Sequence, residues 1–238
     1  MKVFAHRGFS GKYPENTILA FQKAIDTGCY GIELDIHVTK DGQLAVIHDE
    51  TVNRTTTQTG LVCDYTMQEL QGFHAGAKFG DTFGFTPIPS LEEYFTLVEK
   101  HDTVTNIELK TNRRYYSRIE EMLVEKVKKH HLDDKVLFSS FNHLSIIRAK
   151  QLAPHIYCGF LVDHAVANIG ELANLFNVEC YHPDYKMLDD GIVRNCQEHH
   201  VLINTWTFND MALMPQMKAW QVNAVISNYP DDCLKALA

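Results

Sequence analysis

A closed TIM-type (β/α)8 barrel is the fold class this sequence predicts, with a rim hairpin on its second strand and a small insertion after the hairpin. Three observations predict it. Strand and helix signals alternate along almost all of the 238 residues. The strands separated by helical stretches number about eight, which a closed barrel of parallel strands requires. One further strand follows its predecessor through a turn too short for a crossover, so it runs antiparallel and falls outside the count. The length suits one large α/β domain or two small ones. We expect one barrel domain over 1–238 with an inserted, lid-like segment over 49–89. The competing architecture is an open doubly wound sheet, but no Gly-x-Gly-x-x-Gly turn follows the first strand.

The first strand is Val3 to His6. Asn16 or Thr17 then opens a helix that places Ile18, Phe21 and Ile25 on one stripe and closes at Gly28. From Gly31 to Val38 apolar Ile32, Leu34, Ile36 and Val38 alternate with Glu33, Asp35 and His37, so the two carboxylates share a face. Asp41-Gly42 is a hairpin signal, and Gln43 to His48 returns antiparallel. A two-residue loop there pairs Lys40 with Gln43 and sets Asp35 opposite His48, with Cβ atoms roughly 5 Å apart. A slip of one residue breaks that pairing.

Asp49 to Pro89 interrupts the rhythm. It is rich in Thr, Gly and Phe, and Thr66/Glu69 forms a capping box for one short helix. Its cluster of Phe73, Phe79, Phe83 and Phe85 either contacts a ligand or packs the insertion onto the barrel.

The alternation then resumes. Strands are expected at Val104 to Lys110, Val136 to Phe141, Ile156 to Leu161, Val178 to Tyr181, Val201 to Trp206 and Ala224 to Ser227. Helices are expected at Ser90 to His101 (Ser90/Glu93 capping box), Tyr116 to His131, Asn142 to Leu152, Val166 to Phe176, Leu188 to His200 and Asp210 to Trp220.

Composition excludes several classes. A formal net charge of −8 argues against a nucleic-acid partner, though not against a local basic pocket for one phosphate. Met1 to Ala5 runs straight into His6-Arg7, and no apolar run reaches signal-peptide or membrane-spanning length; the expectation is a cytoplasmic protein. The six cysteines contain no Cys-x-x-Cys pair, so neither a zinc knuckle nor a redox motif is indicated. His130-His131 and His199-His200 fall at predicted helix ends, where imidazoles suit the dipole, and take no catalytic role. No long apolar stripe marks an oligomer interface.

Barrel chemistry sits at the carboxyl ends of the strands. His6-Arg7 ends the first, Glu33 and Asp35 the second, and Glu108 and Lys110 the third, while the hairpin adds His48. Taken singly, Arg7 either grips a ligand or pairs with Glu33, and Lys110 is either functional or a solvated strand end. Together they suggest metal-assisted phosphodiester cleavage. Glu33, Asp35 and Glu108 are hard oxygen ligands for Ca²⁺ or Mg²⁺, with Mn²⁺ as a further option. Arg7 can grip phosphate bidentately and Lys110 adds a point charge. His6 and His48 supply an acid/base pair.

At this point the motifs His6-Arg7-Gly8, Pro14 to Thr17, Glu33 to Asp35, His48-Asp49, Arg54 to Thr56, Ile88 to Glu92, Glu108 to Lys110, Ser139 to Phe141 and Thr205-Trp206 form an ordered set. The set resembles the glycerophosphodiester phosphodiesterases from the first strand to the last. The resemblance implies a phospholipase-C-like phosphodiesterase barrel. It implies hydrolysis of glycerophosphodiesters to sn-glycerol 3-phosphate and an alcohol, through a cyclic phosphate that water opens. It assigns His6 and His48 to acid/base catalysis, Glu33, Asp35 and Glu108 to a divalent cation, and Arg7 and Lys110 to phosphate. A related barrel acting on lysophospholipids, of lysophospholipase D type, is the enzyme alternative; a non-catalytic phosphate binder is the other, and retention of both histidines speaks against it.

Asn16 is expected to cap the first helix and tie down the His6-Arg7-Gly8 turn. Trp206 either walls the substrate site or packs in the core. Two positions depart from the family pattern: Asn228 stands where many relatives have Asp, and His74 where many have Asp before Ala-Gly.

Overall fold

The computed structural model describes residues 1–238. Eight parallel strands close on themselves: β1 (Lys2–His6), β2 (Gly31–Val38), β4 (Val104–Leu109), β5 (Val136–Ser140), β6 (Tyr157–Val162), β7 (Cys180–Pro183), β8 (Leu202–Thr205) and β9 (Ala224–Ser227). Closure lies in β1, which pairs with β9 through Phe4↔Ile226 and with β2 through His6↔Glu33. An open doubly wound sheet is thereby excluded. The antiparallel β3 (Leu44–Val46) hangs on β2 alone.

The period of two sorts every strand. On β2, Ile32, Leu34 and Ile36 turn outward into a core of 47 buried residues shared with the helices. The inward set begins at the amino-terminal end with Phe4, Leu137, Ala224 and Ile226 and becomes polar toward the carboxyl end. The site therefore sits on top of a packed barrel floor.

Eight helices occupy the expected intervals, trimmed at their ends: α1 (Ile18–Asp26), α2 (Met67–Gln71), α3 (Leu91–Val98), α4 (Ile119–Lys129), α5 (His143–Leu152), α6 (Ile169–Leu175), α7 (Asp190–Glu198) and α8 (Met214–Ala219); a ninth, α9 (Pro230–Leu237), follows β9. Both capping boxes form, at Thr66/Glu69 and Ser90/Glu93. The sequence reading missed α9, although Pro230 at its first turn followed by Asp231 and Asp232 is a helix-start signal. It also began β7 two residues early. Val178 still donates to the Ala173 carbonyl at the end of α6, and Asn177 is left-handed, so these residues belong to the helix exit.

The hairpin register is a correction with a physical cause. Gly42 sits at φ 73° and donates to the Thr39 carbonyl (3.0 Å), while Thr39 N–H donates to Gln43 (2.9 Å). The loop is thus three residues, Lys40 to Gly42, with the left-handed glycine of a bulged turn, where a two-residue loop was expected. The pairs become Ile36↔Val46 and His37↔Ala45, and Ile47 N–H reaches the Asp35 carbonyl. Asp35 faces Ile47, not His48. Pairing ends at Val46, however, so His48 lies beyond the ladder and its face is no longer dictated by strand parity.

Residues 49–89 build a second, smaller core. Val52, Val62, Met67, Leu70, Ala75 and Ile88 pack on Ala45 and Ile47, next to and within β3. A Thr51↔Leu61 bridge and short 3-10 turns at Val62–Asp64 and Ala77–Phe83 complete it.

Candidate active site

The amino-terminal side of the site is made by a kinked turn. After His6 the chain takes two successive left-handed residues, Arg7 (φ 55°) and Gly8 (φ 77°). At Gly8 a side chain would also lie 2.8 Å from the Ala20 backbone, so only glycine fits. The turn aims the Arg7 backbone N–H at Glu33 Oε2 (2.9 Å). It also brings the Arg7 guanidinium to Glu15 (2.9 Å) and to Asp35 (3.5 Å).

Glu33, Asp35 and Glu108 converge because β2 and β4 pair Asp35 with Glu108. Their ligand atoms lie within 4.8 Å of one another, and all three residues are buried. Burial, then Asp35 and Glu108, pushes the Glu33 carboxyl well above its ordinary value; burial also raises Glu108, against the pull of Lys110. Burial alone would raise Asp35 as well, yet Lys110, His48 and Arg7 hold it below the usual carboxylate range. Asp35 Oδ1 is buried with no hydrogen-bond donor. Three crowded carboxylates, one with an orphan oxygen, fit a hard divalent cation.

Lys110 is no solvated strand end. It is 6% exposed, with its Nζ 2.8 Å from Glu108 and 3.6 Å from Asp35. Half of the Asn16 expectation needs correcting: its backbone N–H does tie down the turn by donating to the Arg7 carbonyl (2.9 Å), but Thr17 caps α1, and left-handed Asn16 donates from Nδ2 to Asp35 Oδ2 at 2.8 Å. Asn16 orients a carboxylate of the cage.

The two histidines have unlike partners. His6 Nδ1 lies 2.6 Å from Asn228 Oδ1, and the Asn228 backbone N–H is held by Asn209. Burial and then Arg7 push its imidazole down to about 3 from 6.5, so it is neutral. His6 Nε2 points to Glu33 at 3.9 Å. His48 Nδ1 instead meets a carboxylate, Asp49, at 2.6 Å, and its backbone carbonyl accepts from His37.

Two cavities flank this constellation. The inner one, about 60 Å³, is lined by His6, Arg7, Glu33, His48, Glu108 and Trp206 among others. The outer one, about 510 Å³, adds Asp49, Glu50, Lys110, Arg113 and Asp163 and shares His48, Phe141 and Trp206. Trp206 walls both, stands edge-on to Phe141 and donates from its indole N–H to the His182 carbonyl. The insertion's aromatics line neither. Phe83 packs on Tyr13 and Phe79, and Phe85 stacks on His74.

The structure thus gathers His6, His48, Arg7, Lys110, Trp206, Glu33, Asp35 and Glu108 on one rim. Sequence reasoning passed over Glu15, Asp49 and Arg54 as individual residues. Arg54 binds Asp49 (2.6 Å) and Glu15 (2.7 Å), tying His48 to Arg7. Asp49 was accessible as the carboxylate beside a candidate histidine. The Glu15–Arg54 contact, 39 residues apart, leaves no local pattern to read.

Three comparisons bear on this site. The model of the glycerophosphoryl diester phosphodiesterase family matches residues 6–232. A glycerophosphodiester phosphodiesterase of Caldanaerobacter subterraneus subsp. tengcongensis is 39% identical, over 96% of this chain and 94% of that one. One of Bacillus altitudinis is 38% identical over 98% and 97%. A solved phosphodiesterase of Oleispira antarctica, in complex with the product sn-glycerol-3-phosphate, superposes with a TM-score of 0.92 at 29% identity, covering 100% of this chain and 96% of that one.

Proposed function

The chain belongs to the glycerophosphoryl diester phosphodiesterase family and is a phosphoric diester hydrolase, and we propose that it cleaves glycerophosphodiesters to sn-glycerol 3-phosphate and an alcohol. The observation that carries the reading is the buried Glu33–Asp35–Glu108 cage with two imidazoles beside it. The Oleispira antarctica relative, complexed with sn-glycerol-3-phosphate, supports the same product here.

Glu33, Asp35 and Glu108 would hold one divalent cation, Ca²⁺, Mg²⁺ or Mn²⁺, which supplies charge neutralisation of a phosphate oxygen. Arg7 lines the inner cavity and Lys110 the outer, so their positive charges flank the phosphate between them. His6 and His48 both line the inner cavity. One imidazole accepts the proton of the attacking glycerol hydroxyl and the other donates a proton to the leaving alkoxide. Water then opens the cyclic phosphate with the two roles exchanged. Trp206 provides an apolar wall for the glycerol carbons.

The cavities favour a deacylated substrate. The inner one is small, about 60 Å³, and the outer one is lined mostly by acidic, basic and other polar side chains with only Phe141 and Trp206 apolar. Residues 49–89 act as an inserted, lid-like segment of one catalytic domain over 1–238. No helix is long and apolar enough to cross a membrane; six unpaired cysteines support a cytoplasmic location.

Parallel assays of glycerophosphocholine and lysophosphatidylcholine test the substrate class. We expect sn-glycerol 3-phosphate from the first and negligible turnover of the second. Preferred cleavage of the lysophospholipid overturns the assignment.

A further inference from the structure

Arg54 is a strongly paired group beside the rim that the chemistry above does not use. Its guanidinium makes four hydrogen bonds: Nε to Asp49 Oδ2 (2.6 Å), Nη1 to Glu15 Oε2 (2.7 Å), and Nη2 to Glu15 Oε1 (2.8 Å) and Asp49 Oδ1 (3.1 Å). Four of its five N–H donors are therefore committed to two carboxylates, and it lines neither cavity. It has no free fork to offer a substrate phosphate.

What it joins is informative. Asp49 holds His48 Nδ1 at 2.6 Å, and Glu15 holds the Arg7 guanidinium at 2.9 Å. One side chain thus links two groups that line the same inner cavity. Its own backbone is anchored on the insertion's core, between fully buried Val52 and Thr56, whose hydroxyl donates to the Val52 carbonyl, within the loop that the Thr51↔Leu61 bridge closes. The insertion's first residues, Asp49 to Thr51, line the outer cavity, and Arg54 ties them to Glu15 beside Arg7; its aromatics line neither cavity.

Resting on the proposed phosphodiesterase reading, we propose that Arg54 is a positioning residue. Its double bidentate grip on Asp49 and Glu15 sets the orientation of His48 and Arg7 and makes an aligned site conditional on a docked insertion. The planar fork is required, because a lysine ammonium cannot span two carboxylates in this geometry. Groups that orient an active residue in this way commonly matter on the order of 10–100-fold.

The test measures kcat and KM with glycerophosphocholine for Arg54→Met, Arg54→Lys and Arg54→Ala. Arg54→Met should lower kcat on the order of 10–100-fold, leave KM within about threefold and leave Mg²⁺ or Ca²⁺ binding by calorimetry unchanged. Arg54→Lys should recover little, and free guanidinium should restore part of the kcat of Arg54→Ala. In a His48→Ala background, Arg54→Met should remove much less of the residual rate. Equal loss in both backgrounds, or Arg54→Lys at wild-type kcat, overturns the inference. Should Arg54→Met unfold the insertion, Asp49→Asn carries the same test for the His48 branch alone. Wild-type protein inactive on glycerophosphocholine with Mg²⁺, Ca²⁺ or Mn²⁺ added refutes the parent reading; an active wild type beside an unimpaired Arg54→Met refutes this inference only.

Discussion

The two histidines of the rim are held by different kinds of structure. His6 ends a barrel strand and is fixed by neutral groups, Asn228 at the end of β9 and Asn209 behind it. Parallel strand pairing of β1 with β9 sets that geometry directly. His48 lies past the end of a three-residue strand and is fixed by a chain of charges, Asp49, Arg54 and Glu15. One imidazole is 14% exposed and placed by the ladder, while the other has a 30% exposed side chain and depends on the insertion staying docked. A carboxylate partner also stabilises an imidazolium in a way an amide cannot. The Asn228 departure thus makes the two sides unequal in charge.

Removing either imidazole should cost the most. His6→Ala and His48→Ala are each expected to lower release of sn-glycerol 3-phosphate by about 10²–10⁴-fold, with unchanged circular dichroism. A variant retaining near-full turnover removes that histidine from the mechanism. The partners should separate the sides next. Asp49→Asn strips a charged partner and should reduce kcat more than Asn228→Asp, which installs a carboxylate beside His6 and shifts the pH profile upward. Identical pH profiles for Asn228→Asp and wild type would erase the distinction drawn here.

A third prediction attacks the scaffold. Leu70 is fully buried in the insertion core, and Leu70→Ala should cost about 2–5 kcal/mol. Hydrogen exchange should rise in residues 49–89 and around His48 while amides of β1 and β9 stay protected. Uniform loss of protection over the barrel would show that the two sides are not separable.

The smallest effect is on acid stability. Burial would raise the Glu15 carboxyl, but hydrogen bonding from Arg54 and the charge of Arg7 hold it down to about 2 from 4.5. The unfolded chain then takes up that proton first, so the contribution is complete above pH 4.5 and is lost as pH falls toward 2. Glu15→Gln should flatten this part of a urea-unfolding profile. A profile as steep as that of the wild type assigns the acid sensitivity elsewhere.

The same division explains what was legible in the sequence. Strand alternation reports which face a residue takes, and parallel pairing preserves it, so Glu33, Asp35 and Glu108 were readable as one cluster. The hairpin was misjudged by one residue because Asp41-Gly42 is compatible with a two- or a three-residue loop, and only the hydrogen bonds of Thr39 and Gly42 decide. His48 nonetheless reaches the site because pairing stops at Val46. The Arg54 network was illegible for another reason. It joins the β1 turn to the insertion across loops whose paths have no periodicity, and charge pairing over 39 residues carries no register. Asn16 was assigned to a helix cap because its residue type suits both tasks, and the left-handed backbone that turns it toward Asp35 does not show in the sequence.

The most direct measurement of the central claim is turnover of glycerophosphocholine by protein stripped of metal with a chelator, before and after addition of Mg²⁺, Ca²⁺ or Mn²⁺ singly. The carboxylate cage predicts no release of sn-glycerol 3-phosphate from the stripped protein and recovery with at least one of the three ions. Full turnover by the stripped protein would contradict it.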